Sequence, residues 1–379
     1  MNRYTEIAAP AYILEEALLR KNLELMARVQ READVEIILA FKGFAMWSAF
    51  PLVRKYLSGA TASSLLEARL CFEEMKTKAH TYAAAFRPTE FESIMRYSSH
   101  ITFNSIAQYV RYRDQVANYE EPISCGIRVN PEYSEVETDL YNPCTPGSRL
   151  GASAEHFADG CPEGLEGLHF HALCESSSFE LEKVLQNFER LFGHLLGSLK
   201  WVNMGGGHLM TRQGYDVAHL IQVLRNFKSK YPHLEVILEP GSAVAWQTGV
   251  LTSTVLDIVE NKGVNTLMMD TSFTAHMPDC LEMPYRPKIS GATDPVEGKF
   301  LYRIGGTSCL SGDYMDFYAF DKPVQIGDVL VFEDMIHYTM VKTTMFNGVH
   351  HPDIVILREN GVAEVIRKFS YEDYKNRLS

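Results

Sequence analysis

Short apolar runs rich in β-branched and aromatic residues alternate with segments of helical spacing through the first two-thirds of the chain. The runs are Val35–Phe41, Ser58–Thr61, His80–Phe86, His100–Phe103, Ile123–Asn130, Leu165–Ala172, Lys200–Met204 and Leu234–Glu239. Helical spacing is clearest over Ser63–Lys76, Glu180–Leu196 and Val217–Lys230, the last with Leu220, Val223, Leu224 and Phe227 on one face. Strands alternating with helices predict a parallel sheet covered by helices. Eight such strands match a (β/α)8 barrel, with an open doubly wound sheet as the alternative.

After about Gly249 the texture changes. Leu251–Val259, Thr266–Asp270, Lys299–Ile304, Asp328–Phe332, Asp353–Arg358 and Val362–Lys368 read as strands between Gly-containing turns, an antiparallel β domain. Its first strand is expected from Ala11–Leu14, ahead of a helix over Glu16–Gln30. The expected architecture is α/β: a barrel over 32–249, and a β-rich domain built from 1–31 and 250–379.

Composition narrows the function. The 379 residues suit two domains, and 46% apolar with 22% charged residues implies a large core and not wholesale disorder. Lys and Arg total 36 against 48 Asp and Glu, a net charge of −12. That argues against nucleic acid and anionic membranes as partners and is compatible with cationic small molecules. Arg3, Glu6, Glu15 and Glu16 interrupt any signal-peptide core, and no run of 18 or more predominantly apolar residues, the length needed to span a membrane, occurs. Seven scattered cysteines, an odd number without a C-x-x-C pair, suggest reduced thiols in a cytoplasm and no zinc site.

Barrel active sites sit at the carboxyl ends of the strands, so the residues that follow each run are informative. The first run ends in Lys42, which reads as a Schiff-base lysine or as a snorkelling strand-end lysine. The sixth ends His169-Phe170-His171, where the histidines share a face and are either cofactor-stacking or hydrogen-bonded core groups. Gly205-Gly206-Gly207 follows the seventh, and Glu239-Pro240-Gly241 ends the eighth. Glycines there let backbone N–H groups approach an anion, helped by the next helix N-terminus, or simply form a loose loop. Together the four signals describe a phosphorylated, flat cofactor that needs a lysine, a carboxylate and a phosphate cup.

With Ala40-Phe41-Lys42, Cys309-Leu310-Ser311-Gly312-Asp313, Phe332–Tyr338 and Phe346-Asn347-Gly348, these motifs form an ordered set over essentially the whole chain. The chain resembles the alanine-racemase-fold (fold type III) decarboxylases of basic amino acids, which depend on pyridoxal 5'-phosphate. It is most similar to the branch acting on carboxynorspermidine and carboxyspermidine. The resemblance implies that Lys42 holds the cofactor, His171 stacks on its ring and Glu239 pairs with the ring nitrogen. Gly206, Gly207, Gly241 and Tyr338 would surround the phosphate. Cys309 and Asp313 would reach in from a second subunit of a homodimer, Cys309 as general acid. For Cys309 by itself, a small buried hydrophobe is the ordinary reading. A carboxylate at the ring nitrogen deepens the electron sink, which favours decarboxylation over racemisation.

Departures from the related decarboxylases concern the substrate. Leu310 stands where they carry an acidic residue, so the distal ammonium must be met elsewhere. Ser242 replaces an arginine near the phosphate, making Ser176 a candidate donor; Ile336-His337 replaces Gly-Ala, and Ala60 an aspartate. The expected reaction is decarboxylation of carboxynorspermidine or carboxyspermidine to norspermidine or spermidine. Asp279 and Glu282 would hold the cationic tail, or be solvated surface carboxylates. The alternatives are a diaminopimelate- or ornithine-type decarboxylase, a racemase, and a cofactor carrier without turnover.

Overall fold

The computed structural model describes residues 3–283 and 285–379. The chain divides into two compact units: Arg20–Val244, and the residues up to Leu19 together with Ala245–Ser379. The boundary falls inside the helix Glu16–Ala33, so most of that helix counts with the barrel and not with the β-rich domain.

In the first unit, parallel strands run in sequence order. Ala60–Ala62, Ala79–Tyr82, Ser98–Phe103, Ser124–Arg128, Gly167–His169, Trp201–Asn203 and Glu235–Leu238 each pair with the next. The run before them closes the ring. Its Glu36–Ile37 half pairs with Glu235–Leu238 and its Leu39–Ala40 half with Ala60–Ala62. Ile38 N–H donates to the Leu238 carbonyl at 2.9 Å and Ala40 N–H to Pro240 at 3.1 Å, so this strand bridges the last strand and the second. A closed barrel leaves no strand edge unpaired.

Glycines let one large side chain fill the amino-terminal end of the barrel. A Cβ on Gly126 or Gly167 would lie 2.2 or 2.0 Å from the Trp201 ring, and the indole N–H donates to Ser124 Oγ at 2.8 Å. Ile38 and Ile237 pack with Trp201, while the His80 and His100 rings stack at 3.8 Å. Outside the ring, Ser178–Phe192 buries Leu181, Val184, Leu185, Phe188 and Phe192, and begins at a reciprocal Ser177–Glu180 cap. The helix expected over Ser63–Lys76 is interrupted: Leu65–Leu70 is followed by a wider turn at Cys71–Met75, which ends at Lys76 with φ 58°.

The second unit is a mixed sheet. Gly249–Asn261 is its spine, antiparallel to Ala11–Glu15, Val264–Met269 and Val329–Glu333. Two pairings are parallel, Ala11–Glu15 with Asp353–Leu357 and Val264–Met269 with Phe300–Gly305, because both partners enter from distant parts of the chain. Tyr314–Phe320, absent from the expected strands, pairs antiparallel with Phe300–Gly305. Among the described residues no helix is long and apolar enough to cross a membrane.

At the barrel end opposite the candidate site, partial burial and the Glu36 carboxylate push the Glu235 carboxyl up to about 7. A carboxyl raised in the folded state favours folding most when protonated, and that contribution is lost as pH rises from about 4.5 through about 7. Glu235→Gln should therefore raise the melting temperature at pH 8.5 and change it little at pH 5, measured by calorimetry. Equal shifts at both values would refute the assignment.

Candidate active site

At the carboxyl ends of the barrel strands, Lys42 follows the buried Phe41 and is itself exposed. Its charge acts on Glu67, His171 and Cys174. The strand register explains the first contact. Ala40 pairs with Thr61, and Glu67 Oε2 accepts from Ser63 N–H at 2.6 Å, two residues beyond Thr61. Behind Lys42, the first and last strand ends touch backbone to backbone: a Cβ on Gly43 would lie 2.6 Å from Gly241 Cα. Glycine at Gly43 is thus required by packing before any ligand is considered, whereas a Cβ on Gly241 would lie 3.0 Å from Gly43 Cα, tight but less severe.

Glu239 is buried. Its Oε1 accepts from Asn203 Nδ2 at 2.5 Å, and its Oε2 lies 3.5 Å from His169 Nε2. Burial pushes this carboxyl up, against the Asn203 hydrogen bond and the Arg128 charge. Arg128, also buried, donates to the His171 carbonyl at 3.1 Å and lies 5.0 Å from the centre of the Tyr82 ring. Neither ring nitrogen of the buried His169 has a hydrogen-bond partner.

The glycine loop is tied into this cluster. Gly205 N–H donates to Asn203 Oδ1, and Gly206 N–H to His171 Nδ1, both at 2.9 Å. A ring nitrogen that accepts carries no proton, so His171 is the neutral Nε2–H tautomer. Burial, followed by the Arg128 charge, holds its pKa well below the ordinary histidine value. Two of the three glycine amides are therefore committed within the protein. The helix expected to reinforce them begins only at Val217, capped by its own Asp216. Ser176 is seated beside the loop, its N–H donating to the Gly207 carbonyl at 2.9 Å. The buried His208, lowered to about 4 by burial, braces the Gly205 carbonyl at 3.2 Å.

In the sheet unit, Cys309 is exposed at the tip of a loop and Leu310 beside it is 46% exposed. Asp313 is buried with both oxygens occupied: Oδ1 accepts from Thr274 N–H at 3.0 Å, and Oδ2 from Ser308 N–H at 3.1 Å and Ser308 Oγ at 2.5 Å. The resemblance, which would have Asp313 reach a second subunit's site and meet substrate there, does not by itself reveal these three hydrogen bonds within its own chain. Asp279 Oδ2 accepts from Tyr285 at 2.7 Å and Thr339 at 2.8 Å, while Oδ1 is buried without a partner. Glu282 is ion-paired with Lys342. Tyr338, next to Thr339, has φ 30°, a backbone position unfavourable for a bulky residue.

Sequence reading missed Arg128, Asn203 and Glu67. An arginine inside the apolar run Ile123–Asn130 and an asparagine just before three glycines were the available signals. The barrel set fits a phosphorylated pyridine aldehyde, with an exposed amine at Lys42, a buried carboxyl at Glu239, a neutral imidazole at His171 and Ser176 beside the glycine turn. Among the described residues no cluster of metal-ligating groups accompanies it.

A parallel barrel carrying this rim, joined to a sheet unit, defines a fold-type-III pyridoxal phosphate enzyme. The family model described as "Pyridoxal-dependent decarboxylase, C-terminal sheet domain" matches residues 85–336. A carboxyaminopropylagmatine decarboxylase from Synechocystis is 54% identical, over 99% of this chain and 97% of its own. A carboxynorspermidine/carboxyspermidine decarboxylase from Campylobacter jejuni is 46% identical, over 99% of each. The crystal structure of carboxynorspermidine decarboxylase from Campylobacter jejuni, complexed with norspermidine, superposes with a TM-score of 0.90 at 44% identity, covering 98% of this chain and 100% of that one. The chain belongs to the pyridoxal-dependent decarboxylases, and pyridoxal phosphate is its cofactor.

Gly43→Ala should force the first and eighth strand ends apart. Overpacking of this kind costs about 1–3 kcal/mol. The variant should melt at a lower temperature and retain less pyridoxal phosphate, read as bound-cofactor absorbance per chain; full occupancy would show that the backbone contact does not shape the site.

Proposed function

We propose that the protein is a cytoplasmic, homodimeric decarboxylase of carboxynorspermidine and carboxyspermidine, yielding norspermidine and spermidine. The observation that carries this is full-length similarity to the Campylobacter jejuni enzyme, together with the exposed, apolar Leu310 beside Cys309. An apolar side chain there cannot pair a short substrate's distal ammonium, which counts against diaminopimelate and ornithine. The 54% identity to the Synechocystis enzyme supports a second reading, in which the tail ends in a guanidinium group.

Bound pyridoxal phosphate supplies an electron sink for the charge left at the substrate α-carbon when CO2 departs. Lys42 would hold the cofactor, and Glu239, its carboxyl raised by burial, would share a proton with the ring nitrogen. His171, neutral and fixed by Gly206 N–H, presents its ring face without adding positive charge. By the family resemblance Ser176, Gly206, Gly207, Gly241 and Tyr338 would surround the phosphate; the Gly205 and Gly206 amides are already committed, and the Ser176 hydroxyl, which donates to the Cys174 carbonyl at 3.2 Å, would have to turn from it to serve as a donor. Cys309, delivered by the partner subunit, protonates the α-carbon. Exposed Leu256, Leu310, Tyr314 and Phe346 give its surroundings the apolar character an interface needs. Asp279 contributes its uncommitted Oδ1 to the cationic tail, whereas the charge of Glu282 is already balanced by Lys342.

The deciding experiment is CO2 release from purified enzyme given carboxynorspermidine, carboxyspermidine, carboxyaminopropylagmatine, meso-diaminopimelate and ornithine. Turnover of the first two supports the reading, preference for the third moves the assignment to the guanidinium tail, and turnover of only the last two overturns it. Cys309→Ala should keep its cofactor and lose at least tenfold in kcat, with part of the product released as aldehyde. Asp279→Asn should raise KM for carboxynorspermidine more than it lowers kcat; an unchanged KM would remove Asp279 from the tail site.

A further inference from the structure

Four consecutive exposed residues, Cys309 to Gly312, with exposed Thr307 before them and half-buried Ser308 between, present the proposed proton donor on a loop. Ordering a loop backbone costs conformational entropy, so a thiol held at one point needs anchors. Two anchors lie directly beneath Cys309. Asp313 folds back on its own loop through Ser308 N–H and Ser308 Oγ, and ties it to the neighbouring segment through Thr274 N–H. Gly306 N–H donates to the Asp313 carbonyl at 2.7 Å, and Thr307 N–H to the Thr271 carbonyl at 2.9 Å. The seat is tailored: a Cβ on Gly306 would lie 2.4 Å from the Asp313 carboxylate.

The second anchor comes from a different part of the chain. Asn347 Oδ1 accepts the backbone N–H of Cys309 itself at 2.9 Å. Asn347 has φ 58°, a left-handed conformation that asparagine tolerates better than most residues and that aims the side chain back at the loop. Cys309, Asn347, Thr307 and Asp270 line one recess of about 370 Å³. Hydrogen bonds to a buried carboxylate are the stronger kind, and removing the acceptor leaves three donors unsatisfied.

We infer that Asp313 and Asn347 are positioning residues that hold the Cys309 loop so that Sγ delivers its proton to the α-carbon. The inference rests on the proton-donor role proposed for Cys309. A proton delivered elsewhere than the α-carbon would, after hydrolysis, give an aldehyde in place of the amine, the substrate nitrogen being left on the bound cofactor. The aldehyde-to-amine ratio therefore reports where the thiol points.

The test uses the holoenzyme with carboxynorspermidine or carboxyaminopropylagmatine, whichever it turns over, and Asp313→Asn, Asn347→Gly and Asn347→Asp. Asn347→Gly keeps the left-handed backbone and deletes the acceptor; Asn347→Asp keeps both, and it also secures the test should Asp313→Asn fold poorly. The aldehyde fraction should rise at least fivefold in Asp313→Asn and Asn347→Gly and stay within twofold of wild type in Asn347→Asp. In a Cys309→Ala background neither substitution should raise it further. Iodoacetamide labelling of Cys309, followed by peptide mass mapping, needs no substrate and should change at least threefold in the first two variants. Unchanged labelling, or equal aldehyde increments without Cys309, would overturn the inference. If Cys309→Ala itself leaves the product ratio unchanged, the proton-donor reading falls, and altered labelling would still show that Asp313 and Asn347 hold the loop.

Discussion

Burying the Glu239 carboxyl without an ion-paired cation is unfavourable, and the barrel rim is organised around offsetting it. Asn203 meets one carboxyl oxygen with its amide nitrogen and uses its amide oxygen to hold Gly205 N–H. The next amide, Gly206, holds His171 Nδ1, and Arg128 holds the His171 carbonyl. One carboxyl is thereby linked through consecutive hydrogen bonds to the orientation and tautomer of an imidazole on another strand. The unsatisfied ring nitrogens of His169 and the raised Glu239 carboxyl are the unfavourable features that remain. A cationic ring nitrogen at Glu239 would favour the ionised carboxyl and offset part of that burial.

The sheet unit uses carboxylates differently. Both Asp313 oxygens accept from donors of its own chain. Asp279 divides its oxygens, one bracing the Thr339 turn and one buried without a partner. Glu282 is neutralised at the surface. Three acidic residues of similar appearance in a sequence thus differ in what they can offer a cationic ligand. The difference lies in which donors surround each of them.

Most of the barrel was legible because its strands are short apolar runs whose β-branched residues have one way to be buried. The helix Val217–Lys230 has the bounds its apolar spacing predicts. Tyr314–Phe320 escaped notice because Asp316 interrupts its apolar pattern, and its stability draws on a non-local partner, with Arg303 lying 4.2 Å from the Tyr314 ring centre. Parallel pairing within the sheet was equally hidden, since nothing local to Ala11–Glu15 announces a partner at Asp353–Leu357. Asn347 was visible in a motif, yet its acceptor role toward Cys309 N–H was not.

By itself the sequence determined the element types, the order of the barrel strands and the residue types at their carboxyl ends, because periodicity and strand-end position are local properties. It also determined the family, because the motifs recur in order along the whole chain. Only the tertiary structure decided which glycine amides remain for a ligand, that His171 is neutral with its proton on Nε2, and which donors surround Asp313. The Gly206–His171 pairing spans 35 residues, and donor–acceptor pairing across such a separation exists only once the backbone has closed.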